Sequence, residues 1–129
     1  EAQGKLNDFN LESPRAGVGS HGGTVSLSIS GQMTAAADRD PKGDLIDMKI
    51  VTLDDFLDAE PTFVKLDVEG AEVDALLGAR RLLERCRPRL CIELHPQFLP
   101  FFQRSTGDFF DAIPRSMYRI FFRPHGETR

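Results

Sequence analysis

Residues 62–95 constrain the fold more than any other part of the chain, because two apolar strand patterns flank one helix pattern there. Residues 62–68 and 90–95 are rich in apolar side chains and are predicted strands. Between them, Gly70 opens a predicted helix that runs to about Arg85 and has a leucine-rich side. A strand, a helix of about 15 residues and a second strand form a βαβ unit, whose strands are parallel neighbours. The pattern therefore predicts the α/β fold class.

Weaker patterns on both sides of this unit predict further elements. Residues 24–30 and 47–51 alternate between apolar and polar side chains and are predicted strands, and Thr52 is the predicted N-cap of a short helix. Residues 32–46 are predicted to be a polar connection, because a proline and a glycine interrupt any helix there. The remaining predictions are a short strand at 14–20, short helices at 98–102 and 108–113, and a last strand at 117–122.

Length, charge and cysteine content exclude several classes of protein. The chain has 129 residues, which suits one domain or part of one. Its net charge of −4 argues against a general nucleic-acid binder, and no apolar run approaches the roughly 20 residues that span a bilayer. Cys86 and Cys91 are too few for a disulfide scaffold, and we expect both to be buried thiols in a reducing compartment. We therefore expect a cytoplasmic protein with neither a nucleic-acid nor a membrane partner.

Polar side chains follow both strands of the βαβ unit. Asp67 and Glu69 end the first strand, and Glu93 and His95 end the second. Because ligands bind at the carboxyl ends of strands in open α/β sheets, we expect these groups to share one rim. Such a cluster suits general-base catalysis or a hard metal ion. Glu69 is equally well explained as a solvated turn residue, and Glu72 is predicted to be only a helix N-terminal charge.

Three stretches of the chain closely resemble the FkbM-type methyltransferases. They are Val-Thr-Leu-Asp-Asp-Phe-Leu at 51–57, Phe-Val-Lys-Leu-Asp-Val-Glu-Gly-Ala-Glu at 63–72 with Leu-Leu-Gly-Ala at 76–79, and Arg-Pro-Arg-Leu-Cys-Ile-Glu-Leu-His at 87–95. The Asp-Val-Glu-Gly-Ala-Glu run is the most specific of these signals. Residues 14–31 resemble the family more loosely, and residues 96–129 do so only in general pattern.

The resemblance implies a Rossmann-like sheet and methyl transfer from S-adenosylmethionine to a hydroxyl group on a sugar or a secondary metabolite. It places Asp67 near the donor methyl group and Glu93 and His95 on the acceptor side. The catalytic residues expected on this basis are Asp67, Glu69, Glu93 and His95. The donor-binding residues expected on this basis are Val18, Gly19 and Ser20, near the adenine, together with Asp67.

The chain departs from the family pattern on its N-terminal side. Such methyltransferases carry a Gly-rich loop after their first strand and an acidic residue after the second, and neither is found in this sequence. We therefore expect residues 1–129 to form a single partial methyltransferase domain, whose strand at 62–68 has an unpaired apolar edge. Missing upstream residues, completion by another chain and a decayed remnant are three explanations. A homo-oligomer formed through the open edge is expected under the second.

The sequence leaves the chemistry open between several possibilities. Asp67, Glu93 or His95 can accept a hydroxyl proton, or a divalent ion such as Mg²⁺ held by Asp67 and Glu93 can lower the pKa of the hydroxyl. No residue is assigned as a metal ligand on the sequence alone. Two other functions compete with methyl transfer to a small-molecule hydroxyl acceptor. They are a metal-dependent hydrolase that uses the same acidic rim, and a non-catalytic fragment or interaction module.

Overall fold

The computed structural model describes residues 13–30, 33–36 and 44–123. The described strands are β1 (Gly17–Val18), β2 (Gly23–Ser30), β3 (Met33–Ala36), β4 (Asp44–Val51), β5 (Phe63–Leu66) and β6 (Arg89–Ile92). The described α-helices are α1 (Glu72–Leu77), α2 (Arg80–Arg85) and α3 (Thr106–Ala112), and 3-10 helices occupy Leu53–Ala59 and Leu99–Phe102. The mixture of strands and helices confirms the α/β content that the sequence predicts. No helix in these ranges is long and apolar enough to cross a membrane.

The first sheet has the strand order β1-β4-β2-β3. β1 pairs with β4 in parallel, and β2 pairs with both β4 and β3 in antiparallel fashion. The prediction of a polar connection at 32–46 is wrong for residues 33–36 and 44–46, which belong to β3 and β4, and its other residues lie outside the described ranges. Pairing with β2 supplies the backbone hydrogen bonds that make β3 a strand, and its own side chains show no strand-like alternation to predict it.

The second sheet contains β5 and β6, which pair in parallel with Phe63 opposite Arg89 and Leu66 opposite Ile92. This pairing confirms the parallel βαβ unit. The described strands thus form two separate sheets, and a single Rossmann-like sheet stays a prediction. No described strand pairs with the other edge of β5, where Phe63 is 57% exposed.

Within the described residues, one face of the β5–β6 sheet is covered and the other is not. Val64, Leu90 and Ile92 pack against the core, whereas Cys91 lies on the opposite face and is exposed. The prediction of two buried thiols is therefore wrong for Cys91, and Cys86 is only half-buried. Parallel sheets are usually covered on both faces, and that expectation fails here for one face.

The predicted helix at 70–85 is divided into α1 and α2, and the break lies at Gly78. In a continuous helix, Leu82 would donate its N–H to the carbonyl of Gly78. Instead, Leu82 donates to the carboxylate of Asp54 at 2.8 Å, and the Gly78 carbonyl accepts the N–H of Asp54 at 2.9 Å. Arg81 also donates its N–H to this carboxylate, at 3.2 Å. Asp54 therefore caps α2 from the preceding segment, which no helix periodicity predicts.

The hydrophobic core lies between α1, α2, α3 and the covered face of β5–β6. Its buried members are Leu57, Leu66, Val73, Ala75, Leu76, Ala79, Leu82, Leu83, Leu99, Phe109 and Ile113. The predicted last strand at 117–122 is wrong, because Met117 and Tyr118 donate their N–H groups to the carbonyl of Pro114 in a turn. Phe121 beyond it is 86% exposed. Apolar side chains alone do not make a strand when no neighbouring edge accepts its hydrogen bonds.

Candidate active site

The ends of β5 and β6 bring three predicted site residues together. One ligand atom each from Asp67, Glu93 and His95 lies within 4.8 Å of the others. The N–H of Glu93 donates to the carbonyl of Leu66 at 2.9 Å, which extends the ladder past the last paired residues. The parallel register therefore places both strand ends at one edge of the sheet, as the sequence predicts. We call Asp67, Glu93 and His95 the rim.

Lys65 forms an ion pair with one carboxylate of the rim. Its ammonium group donates to the Asp67 carboxylate at 3.0 Å. This hydrogen bond, and then the charge of Asp67, raise the pKa of Lys65 above its usual value. Because 59% of the Lys65 side chain and 42% of the Asp67 side chain are exposed, solvent screens this pair.

Behind the rim, Glu72 is completely buried at the first position of α1. Its Oε1 atom accepts the backbone N–H of Gly70 at 3.0 Å and contacts Nδ1 of His95 at 2.8 Å. The sequence prediction treats Glu72 as a helix N-terminal charge and misses this role. A signal was present, since Glu72 is four residues before Leu76 and so shares its helix face with a core leucine.

His95 lies between the buried carboxylate and the exposed rim, with 17% of its side chain exposed. Nδ1 faces Glu72, and Nε2 faces Glu93, 3.9 Å from its Oε1. A carboxylate oxygen accepts hydrogen bonds, so a proton on Nδ1 suits the contact with Glu72. The ring also stacks on Phe98 with a centroid distance of 5.9 Å. The hydrogen bond to Glu72 is the main cause that raises the pKa of His95 above 6.5, and burial acts in the opposite direction.

The turn between β5 and α1 depends on Gly70. Its φ of +107° is a conformation that other residues rarely adopt, and an added Cβ would lie 2.7 Å from the Cβ of Phe98. This backbone lets the Gly70 N–H reach Glu72 while Phe98 packs against both the turn and His95. Glu69 precedes it with a φ of 46° and an exposed side chain. The structure does not bring Glu69 into the rim.

The predicted adenine-binding residues lie elsewhere. Gly19 donates its N–H to the carbonyl of Val51 at 3.0 Å, and its own carbonyl packs against Gly78 at the far end of α1. The hydroxyl of Ser20 contacts the His21 ring at 3.0 Å. The six residues of α1 extend for about 9 Å between Gly78 and the Glu72 end of the helix. Contact of Val18, Gly19 and Ser20 with a donor therefore stays a prediction.

The carboxylates of the rim are exposed to solvent, since 42% of the Asp67 side chain and 52% of the Glu93 side chain are accessible. Two concavities of about 320 and 330 Å³ are found among the described residues, one beside Cys86 and the other beside Leu77 and Pro114. Neither is lined by a rim residue. Two carboxylates and one imidazole are also a donor set that suits a divalent ion. The ammonium group of Lys65 already occupies one oxygen of Asp67, which makes that carboxylate a poorer ligand.

Comparison of the sequence with known protein families identifies one matching family. The model of the Methyltransferase FkbM domain matches residues 5–120, which include both sheets, all three helices and the rim. Neither the curated proteins nor the solved structures contain a match.

Proposed function

The chain belongs to the FkbM methyltransferase family, and on this basis we propose that it transfers the methyl group of S-adenosylmethionine to a hydroxyl oxygen of a small-molecule acceptor. The observation that carries the proposal is the contact of 2.8 Å between His95 and the buried Glu72. It orients Nε2 of His95 towards the exposed rim, where an acceptor hydroxyl can approach. An imidazole that is held in one orientation and whose pKa is raised by a carboxylate partner is a suitable general base.

The proposed reaction is an in-line displacement at the methyl carbon. The hydroxyl oxygen of the acceptor forms a bond to this carbon, the bond from carbon to sulfur breaks, and the electron pair stays on sulfur. Nε2 of His95 takes the hydroxyl proton, and the products are the methyl ether and S-adenosylhomocysteine. The protein contributes alignment of the reacting atoms and a place for the proton.

His95 is a better candidate for the base than Glu93. The Glu93 side chain is 52% exposed, and no buried group orients it among the described contacts. His95 is held from behind by Glu72 and from one face by Phe98. In the proposal, Glu93 and Asp67 contact the acceptor, because their carboxylates can accept hydrogen bonds from further hydroxyl groups. Sugars and many secondary metabolites offer several such hydroxyls.

Donor binding is the second part of the proposal. Asp67 contacts the donor at the end of β5, and Val18, Gly19 and Ser20 contact its adenine in a Rossmann-like arrangement. The cytoplasmic location, and association of copies through the open edge of β5, remain predictions from the sequence. The lack of a nucleic-acid partner is likewise a prediction.

A divalent ion at the rim is the second candidate mechanism, and the distances within 4.8 Å among its donor atoms favour it. Asp67 and Glu93 would hold such an ion, which would lower the pKa of the acceptor hydroxyl. If His95 also held it, that ring could not accept the hydroxyl proton. The family match favours methyl transfer over metal-dependent hydrolysis at this rim.

The test is a turnover assay that detects S-adenosylhomocysteine after incubation of the chain with the donor and a panel of hydroxyl-bearing sugars and polyketides. We expect His95→Gln to lower kcat by about 10²–10⁴-fold, the usual contribution of a general base. Glu93→Gln is the matched control and should act mainly on KM. Equal turnover of His95→Gln and the wild type would overturn the base role. Loss of turnover on chelation with EDTA would favour the ion instead.

A further inference from the structure

Among the described residues, Glu72 is the charged side chain that is completely buried. Removing a carboxylate from water is costly unless hydrogen bonds and an opposite charge compensate for it. Val73, Ala75 and Leu76 show that the surrounding positions of α1 are filled with apolar side chains. An apolar residue at position 72 would fit the same environment at lower cost. The carboxylate therefore needs an explanation beyond packing.

Its contacts supply that explanation. Oε1 receives two donors, the Gly70 N–H at 3.0 Å and Nδ1 of His95 at 2.8 Å. Oε2 is also buried and has no hydrogen-bond partner in the described part of the chain. The two donors therefore stabilise one oxygen of the Glu72 carboxylate and leave the other without a hydrogen bond. A positive charge on the adjacent imidazole would stabilise the Glu72 carboxylate, because electrostatic interactions are stronger in the interior of a protein than in water.

We propose that Glu72 is a positioning residue for His95, an inference that rests on the proposed base role of that histidine. Glu72 holds the neutral ring in the tautomer with the proton on Nδ1, so that the lone pair of Nε2 faces the rim. It also stabilises the imidazolium that forms when Nε2 accepts the proton of the acceptor. Glu72 itself does not touch the reacting atoms.

The three carboxylates that face His95 act in the same direction. Glu93 and Asp67 lie on the rim side and Glu72 lies on the core side, and each favours the imidazolium. The two rim carboxylates are exposed to solvent, whereas Glu72 is not. Solvent therefore screens the charge of Glu72 least, and Glu72→Gln removes that charge while keeping an oxygen that can accept from Nδ1.

Nitrogen-15 NMR of the histidine rings tests this inference without a donor or an acceptor. The chain has three histidines, and His95→Gln identifies the resonances of His95. We expect neutral His95 to carry its proton on Nδ1, whereas a free imidazole in water favours a proton on Nε2. In Glu72→Gln, which keeps the size of the side chain, we expect the pKa of His95 to fall by about one unit, a tenfold change in proton affinity.

Exposed His21 is the internal control, since its resonances should be the same in the wild type and in Glu72→Gln. A backbone amide spectrum shows whether Glu72→Gln keeps its fold, and Glu72→Asp gives a second variant that retains the charge. A proton on Nε2 of neutral His95 in the wild type, or an unchanged pKa of His95 in folded Glu72→Gln, would overturn the inference.

The turnover assay separates this inference from the proposed function. If Glu72 positions a base, folded Glu72→Gln loses kcat and its pH profile shifts with the pKa of His95, while KM for the donor is unchanged. The expected NMR result together with an absence of methyl transfer would retain the pairing of Glu72 with His95 and reject the proposed reaction. A normal kcat in Glu72→Gln would reject the positioning role even if methyl transfer occurs.

Discussion

The Glu72–His95 pair connects the buried core to an exposed rim through one hydrogen bond of 2.8 Å. On one side of the imidazole lies a carboxylate without solvent contact, and on the other lie Glu93 and Asp67 in water. This difference in solvent exposure gives the two ring nitrogens different environments. Nδ1 is hydrogen-bonded to Glu72, and Nε2 faces the rim, where a ligand can bind.

The pH dependence of stability follows from the raised pKa of His95. A folded-state pKa above the unfolded value of 6.5 means that the folded chain binds the proton more tightly. The resulting stabilisation is fully present below the unfolded pKa and is lost as pH rises through the folded pKa. We therefore expect the free energy of unfolding in urea to fall as pH rises above 6.5. This step should be smaller in Glu72→Gln and absent in His95→Gln.

Gly70 sets the geometry of the turn that precedes Glu72. Gly70→Ala forces a side chain into a φ of +107° and against Phe98, so we expect a loss of roughly 1–3 kcal/mol in the free energy of unfolding. Gly107→Ala is the matched control. Its Cβ would meet only the hydroxyl of Ser105 at 3.4 Å, within α3, and we expect a gain of about 0.4–1 kcal/mol. Chemical denaturation compares both, and equal stability of the two variants would contradict the argument.

At the scale of elements, the break between α1 and α2 is held by a residue from another segment. Asp54 lies in the 3-10 helix at Leu53–Ala59 and caps α2 through the N–H groups of Arg81 and Leu82. The first family-like stretch, at 51–57, thus supports the βαβ unit structurally, since Leu57 in the same stretch packs in the core. Its residues do not contribute to the rim.

Removal of this cap should destabilise the chain. We expect Asp54→Ala to lower the free energy of unfolding by about 1 kcal/mol, the usual cost of losing a capping side chain. Asp54→Asn keeps an oxygen acceptor and should retain most of the stability. Thermal or urea unfolding measures both variants, and an Asp54→Ala variant as stable as the wild type would show that the cap is unimportant.

The elements also show what a sequence pattern can and cannot predict. The parallel β5–β6 pair and the meeting of Asp67, Glu93 and His95 were predictable, because a βαβ pattern determines which strand ends are neighbours. The division of the helix at Gly78 and the strand β3 were not, because each depends on hydrogen bonds to a distant segment. The burial of Glu72 was missed because the charge at the helix start had a simpler local explanation.

In the molecule as a whole, apolar side chains are exposed on the second sheet and near the end of the described residues. Phe63 on the open edge of β5 is 57% exposed, and Phe121 and Phe122 near the end of the described chain are 86% and 76% exposed. The first sheet and the second are separate. The family-like stretches and the rim, by contrast, belong to one packed unit around α1, α2 and β5–β6.

Calorimetric titration of the chain with S-adenosylhomocysteine tests whether the chain is a methyltransferase, and it needs no knowledge of the acceptor. We predict saturable binding with one ligand per donor site and weaker binding by Asp67→Asn, whereas His95→Gln should bind as the wild type does. An unrelated nucleotide such as ADP serves as the control for non-specific heat. Absence of binding by the folded wild-type chain would contradict the claim that this chain is a methyltransferase.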